Sequence, residues 1–362
     1  KMFRYFEFEN MPRKKIPEVL EKLSNDAYTN YMIKNFSAEP WILTKKNAPS
    51  ILQVLARQPQ TLEDVCDEIL VGIQAGIDNI HLMKFEKKGS NNSVFLFSDR
   101  ANEIVEIETR LVKPIIRGED VKRYELPHNT YFCIYPYELV DGKTKIIEEK
   151  ELKEKFPKGY AYLKKYQKEL MKIRERHKTN SKYWYSCHRH RDMNIFESER
   201  IITPEISLGC NMTIAHHGLY HNTKVYSIVP SKNRKENLRY WLGLLNSKLL
   251  WWYLSNTGYV LRGGYFVFKT NYLSPFPVRT INFSNHSENT QHDKIVALVD
   301  QMLAMHKNLT IAQSPQVKET IERQIEVTDK AIDLLVYELY GLSEKAIKII
   351  EETCVIKKHK NK

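Results

Sequence analysis

The chain has few cysteines and none in pairs. Its five, Cys66, Cys133, Cys187, Cys210 and Cys354, are odd in number and widely scattered. They make no disulfide framework and fit a reducing cytoplasm, the expected location. Any run of about 18 apolar residues is missing too, which argues against a membrane span. The chain opens Lys1-Met2 with charged residues close behind and no apolar stretch, so no secretory leader is expected and a longer parent polypeptide is.

Signatures of chemistry are equally scarce. Arg262-Gly263-Gly264 lacks the strand-glycines-helix setting of a phosphate cradle, and no Lys-Ser/Thr follows Gly72 and Gly76. There is no Gly-x-Ser-x-Gly elbow. Cys187, His188, His190, Cys210, His216, His217 and His221 crowd into about 35 residues, yet no Cys-x2-Cys pair or His-Glu-x-x-His helix is among them. Glu63, Asp64, Asp67 and Glu68 open a strand and read as solvated rather than catalytic. No catalytic residue, metal ligand or cofactor is assigned within the chain.

What the chain has is apolar content and positive charge. At 362 residues and 42% hydrophobic it can bury a sizeable core. The net charge is +12, and Glu151 to Asp192, with 13 Lys/Arg against 5 Asp/Glu, carries +8 of it. Such a stripe suits a polyanion partner; a solvated helix face is the plain alternative. Between Ser181 and Arg191, Lys182, Arg189 and Arg191 interleave with Tyr183, Trp184 and Tyr185, a mix that suits stacking on bases and phosphate contact, or a loop anchored by its aromatics. Arg262 and Lys269 flank a glycine turn and a strand. Arg117, Lys122 and Arg123 could hold phosphates, with Glu119 and Asp120 beside them to neutralise the charge.

The apolar pattern gives the frame. Leu238, Trp241, Leu242, Leu245, Leu249 and Trp252 follow a helical period, and Tyr240, Leu244 and Trp251 widen the apolar surface, so one buried helix is expected. Gly258 suits a left-handed cap, Gly263-Gly264 a turn, and Tyr265 to Lys269 a short strand. Alternation predicts strands around Ile69 to Ile73, Ile80 to Phe85, Ser93 to Phe97, Thr130 to Leu139 and Glu199 to Ser207. Residues 113–124 read as loop and Lys150 to His177 as two helices. Past Val278 a polar linker leads to helices with Ile295, Leu298, Val299 and Met302 on one stripe and Ile325, Ile332, Leu335 and Leu339 on another. The expected fold is α+β: a mixed, mainly antiparallel recognition domain with packed helices, then a helical subdomain. The expected division is a connecting segment at 1–45, a recognition domain at 46–280 and the helical subdomain at 281–362.

Several segments in order resemble one family: TLEDVCDEILVGIQAGIDNIHLM, VKPIIRGEDVKRY, YPYE, AYLKKYQKEL, ERIITPEIS, the stretch from GLLNSKLLWWYL through LRGGYFVFKTNYLSPFPV, and DKAIDLLVYELYGLSEKAIKII. The sequence resembles the C-terminal specificity region of TaqI-like adenine-N6 DNA methyltransferases, found in type IIG restriction-modification enzymes. It departs at Ala75 and Asp78, where the family usually has threonine and asparagine. The resemblance implies recognition of double-stranded DNA by this segment. It also implies an upstream methyltransferase domain of the same polypeptide that binds S-adenosylmethionine and flips the target adenine, with fusion to an endonuclease left open. A separate specificity subunit docking on a methyltransferase is the alternative, a metal-dependent hydrolase the more distant one.

Overall fold

The computed structural model describes residues 2–5, 29–32 and 48–354, apart from Asn129 and Asn180. Met2–Tyr5 pairs antiparallel with Thr29–Met32. A capping box then leads into the first long strand: the Asp64 carboxylate accepts from the Thr61 N–H at 2.7 Å and its hydroxyl at 2.9 Å. One of the acids read as solvated is therefore a cap.

β1 (Cys66–Val71) is followed by β2 (Leu82–Lys88), β3 (Ser93–Ser98), β4 (Glu103–Glu108), β5 (Val112–Ile116) and β6 (Tyr131–Ile134). β4 pairs with β3 along its whole length, and β5 occupies the front of the expected 113–124 loop. Pro114 is tolerated in β5: it pairs with Phe132, while the strand on its other side reaches only Ile115 and Ile116. Three helices follow instead of two: α1 (Glu149–Lys155), α2 (Pro157–Lys165) and α3 (Gln167–Arg176), broken at Phe156 and Tyr166. Their Leu152, Leu163 and Leu170 pack with Leu96 and Ile107 of the sheet.

β7 (Arg200–Pro204), β8 (Thr213–Ala215), β9 (Tyr220–His221) and β10 (Val225–Pro230) come next. They do not form a simple meander. β8, β7, β10 and β1 make an antiparallel four-stranded sheet, while β9 joins the edge of the other sheet, giving the six-stranded order β9-β5-β6-β2-β3-β4. Only the β9–β5 pairing is parallel there.

The expected single buried helix is two, α4 (Leu238–Asn246) and α5 (Lys248–Thr257). Ser247 is extended, at φ −68° and ψ 156°. The break is stabilised on every side. The Asn246 amide accepts from the Met212 N–H and donates to its carbonyl, both at 2.9 Å. The freed Lys248 N–H donates to Asp333 Oδ1 at 2.9 Å. Burial is as the pattern predicts, with Tyr240, Trp241, Leu245, Leu249 and Trp252 all in the core. Gly258 is extended (φ −90°, ψ −172°), so the left-handed cap does not form; Gly263 and Gly264, at φ +88° and +82°, do make the turn.

α6 (His286–Ile311), α7 (Pro315–Leu339) and α8 (Glu344–Thr353) complete the chain. Gly243 lets them approach: a Cβ there would lie 2.9 Å from an Ile295 methyl and 3.0 Å from a Val299 methyl. Val336, Ile350 and the α4–α5 pair share one core with Leu55, Leu62 and Val65. The fold is α+β, mainly antiparallel, with a helical C-terminal segment. Among the described residues no helix is long and apolar enough to cross a membrane.

Candidate nucleic-acid interface

Gly72 to Gly76 runs between the two sheets. A Cβ on Gly72 would overlap the Asn222 carbonyl oxygen and the His221 ring, so only hydrogen fits. One step on, Ile73 N–H donates to the His221 carbonyl at 2.9 Å. Gln74 then bridges antiparallel to Arg189, with N–H to O distances of 3.1 and 3.0 Å, and His188 N–H donates to Ala75 O at 3.2 Å. Arg191 closes the other side, its Nε donating to Val71 O at 2.7 Å. Tyr135 Oη donates to the Arg191 carbonyl at 2.7 Å. The strap thus fixes the backbone of residues 188–191 and leaves the Arg189 side chain exposed, with no ion pair or side-chain hydrogen bond among the described residues. Arg191 is half-buried; burial, then the neighbouring Arg189, lowers its pKa.

Other members of this basic and aromatic region face inward. Arg174 is buried, its guanidinium donating to the Ser186 carbonyl, to Ser186 Oγ at 2.6 Å and to the Cys187 carbonyl at 2.8 Å. Trp184 and Tyr185 are in the core, bonded to Glu149 and to the Ile147 carbonyl. They anchor the loop and are not available to stack on bases. Nothing local in the sequence distinguishes Arg174 from the exposed cations around it.

The other candidates divide by their partners. Lys182 pairs with Glu148 at 3.0 Å and Lys122 with Glu125 at 3.3 Å, both on the surface. Arg117 lies over the Tyr131 ring at 4.0 Å and pairs with Glu119 at 2.8 Å, the neutralisation its neighbours suggested. Arg123 reaches inside, donating to the Asn246 carbonyl at 2.9 Å and to Asp329. Burial works against its charge, but Tyr124, Asp329 and Asp333 hold its pKa above the ordinary arginine value.

Arg262 sits at the turn of a small sheet formed by Ile206–Ser207, Tyr265–Val267 and Val260–Leu261. Its side chain is exposed and makes no ion pair among the described residues. Ile206, Tyr259, Val260 and Tyr265 are each 45–56% exposed beside it, an apolar grouping on an otherwise charged surface. At the root of this hairpin is a cleft of about 380 Å³ between Glu205, Tyr259, Lys269, Asn271 and Tyr272. Lys269 pairs with Glu205 at 3.1 Å. Arg191 Nε donates to Val71 O, Val71 pairs with Tyr226, and Tyr226 pairs in turn with Thr203, two residues before Glu205. Neighbouring strands therefore link Arg191 through Tyr226 to Glu205 and Lys269 at the root of the Arg262 hairpin, and this is the candidate face. Lys182, Lys122 and Arg123 have their partners elsewhere.

The histidines do not gather. His221 is buried with Nε2 2.6 Å from Ser227 Oγ, and burial pushes its pKa down to about 3. His217 is exposed and pairs with Glu197 at 2.9 Å. Among the described residues no group of three His, Cys, Asp or Glu side chains is placed to hold a metal ion.

Comparison with known proteins gives this face a context. Residues 113–278 match the model of the TaqI-like C-terminal specificity domain. That stretch is similar to a TaqI-like specificity domain. It contains Arg189, Arg191, Glu205, Arg262 and Lys269, while the strap and α6–α8 lie outside it. The type II restriction enzyme and methyltransferase RM.Eco57I of Escherichia coli is 25% identical over 331 residues, covering 87% of this chain. The chain spans about a third of that relative, 33% of its length. The type IIL restriction-modification enzyme MmeI, solved in complex with DNA, superposes with a TM-score of 0.54 at 14% identity over 82% of this chain and 36% of its own. At that identity the likeness is one of fold, and it extends beyond the specificity domain to most of the chain.

Proposed function

We propose that this chain is the DNA-reading part of a restriction-modification enzyme that methylates adenine at N6. Duplex DNA lies along the face from Arg189 to the Arg262 hairpin. Arg189, Arg262 and, after exchange of its surface ion pair, Lys269 contact phosphates and position the duplex, while neighbouring side chains read base edges. The observation that carries this reading is Arg189: an exposed guanidinium without an ion pair or side-chain hydrogen bond among the described residues, its backbone paired with Gln74, within the stretch that matches a specificity domain. Preorganisation of that kind is wasted on a merely solvated charge.

The chemistry belongs to an upstream domain of the same polypeptide in the cytoplasm. S-adenosylmethionine would bind there and the target base would be flipped there, an operation that costs a few kcal/mol of unstacking. The chain's Gly263-Gly264 turn closes a β-hairpin and does not open a helix, so it does not supply that cofactor's cradle. An endonuclease fused to the same polypeptide is compatible with this arrangement. The test is the affinity for duplex DNA across a range of salt concentrations. Arg189→Ala should weaken binding and reduce the slope of log affinity against log salt by about 1, with Arg262→Ala acting in the same sense. Equal affinity and slope in both variants and the unaltered chain would sink the assignment.

A further inference from the structure

Glu205 is out of place on a surface that meets phosphate. It sits between β7 and the small hairpin sheet, its N–H donating to Lys224 O at 2.8 Å and its carbonyl accepting from Phe268 N–H at 2.8 Å. The side chain is only 13% exposed, with one oxygen 3.0 Å from Lys224 Nζ and the other 3.1 Å from Lys269 Nζ. Burial raises its pKa, but the two lysines outweigh this and bring it below the ordinary glutamate value. An ionised carboxylate accepts hydrogen bonds and donates none. Each oxygen retains acceptor capacity beyond its lysine.

The surroundings suit a flat heterocycle. Tyr259 and Tyr272 line the cleft with Lys269 and Asn271, and its volume, about 380 Å³, is in the range of small-molecule sites. The lysines lie at the rim with side chains 65% and 44% exposed. Surface pairs of this sort hold by less than about 1 kcal/mol, so either lysine can turn to a phosphate without disturbing the carboxylate's backbone anchors. We propose that Glu205 is a specificity-determining residue that accepts a hydrogen bond from the exocyclic amine of a cytosine or adenine in the bound duplex, with Tyr259 against that base pair. The inference rests on the DNA-reading function proposed above. Among base edges, amino groups are what a carboxylate can bind; guanine O6 and N7 and thymine O4 would repel it.

The experiment is selection from a randomised duplex pool by the 362-residue chain, followed by sequencing of the bound DNA. The unaltered chain should enrich a motif that includes a position restricted to cytosine or adenine. Glu205→Gln should relax that single position by about tenfold and leave the others intact. Tyr259→Ala, at a side chain already half exposed, should weaken the same position while leaving the fold untouched. Lys269→Gln, which keeps the carboxylate, should lower affinity for all sequences evenly. An unchanged motif with Glu205→Gln, an even loss at every position, or no effect of Tyr259→Ala on the selected position would each overturn the inference. Should the unaltered chain select no sequence, the DNA-reading function itself falls, and the role of Glu205 with it.

Discussion

Residues 188–191 and residues 117–123 look alike in sequence: short, basic, and next to aromatic side chains. Their fates are opposite. In the first, backbone pairing with Gln74 and Ala75, together with Arg191 on Val71 and the Tyr135 hydroxyl, does the anchoring, and the Arg189 side chain takes no part among the described residues. In the second, the side chains themselves do the anchoring, Arg117 against Glu119 and Tyr131, Arg123 against Asn246 and Asp329. A cation is available to a partner when something else holds its backbone. Charge density along the sequence reports only part of this, because Glu119 is a neighbour of Arg117 whereas Gln74, Asn246 and Asp329 lie far away in the chain.

The contrast can be broken most forcefully at Arg123. Arg123→Met leaves Asp329 without its partner near the buried Asp333, and unfolding in denaturant should show a loss of about 3–5 kcal/mol. DNA affinity of the remaining folded protein should be unchanged. A stable variant with impaired DNA binding would mean that Arg123 belongs with Arg189. Gly72→Ala should come next, costing about 1–3 kcal/mol by overpacking against Asn222 and His221. Unlike Arg123→Met it should also lower the affinity of the folded fraction, since it displaces the strap that holds Arg189. Loss of stability with full affinity would separate the strap from the site. The contrast can be sharpened last by the response to pH near Asp333. Burial, then the adjacent Asp329, raises its carboxyl pKa to about 6. The native state therefore holds its proton in a range where the unfolded chain has lost it. Stability should fall as pH rises from about 4 to about 6, opposite to the usual carboxylate. Asp333→Asn should flatten that part of the profile, and an unaltered profile would remove Asp333 from the account.

Much of the frame is legible because it is local. The apolar period of Leu238 to Trp252 identifies core helix, and the alternation from Ile69 to Ile73 and from Ser93 to Phe97 marks stretches that overlap the strands Cys66–Val71 and Ser93–Ser98. What is not legible depends on remote partners. The break at Ser247 is stabilised by Met212 and Asp333, and β5 is a strand because β6 and β9 flank it. The same holds for the site. Arg189, Arg262 and Lys269 were identifiable as loop or strand-end cations, but their common face was not. Arg174, in the most basic stretch of all, is buried under carbonyl groups supplied by Ser186 and Cys187. Glu205 carries no sequence signal apart from ending a strand; only the lysines it meets make it conspicuous.

The bridge between Gln74 and Arg189 has a consequence for how the molecule comes to be. It joins residues more than a hundred positions apart, and contacts of such separation form slowly because the intervening chain must first be ordered. A chain in which either sheet is incomplete has no fixed place for Arg189, however much positive charge it carries. If the chain reads DNA as proposed, misassembled molecules would hold it loosely through that charge while lacking the geometry to tell one sequence from another.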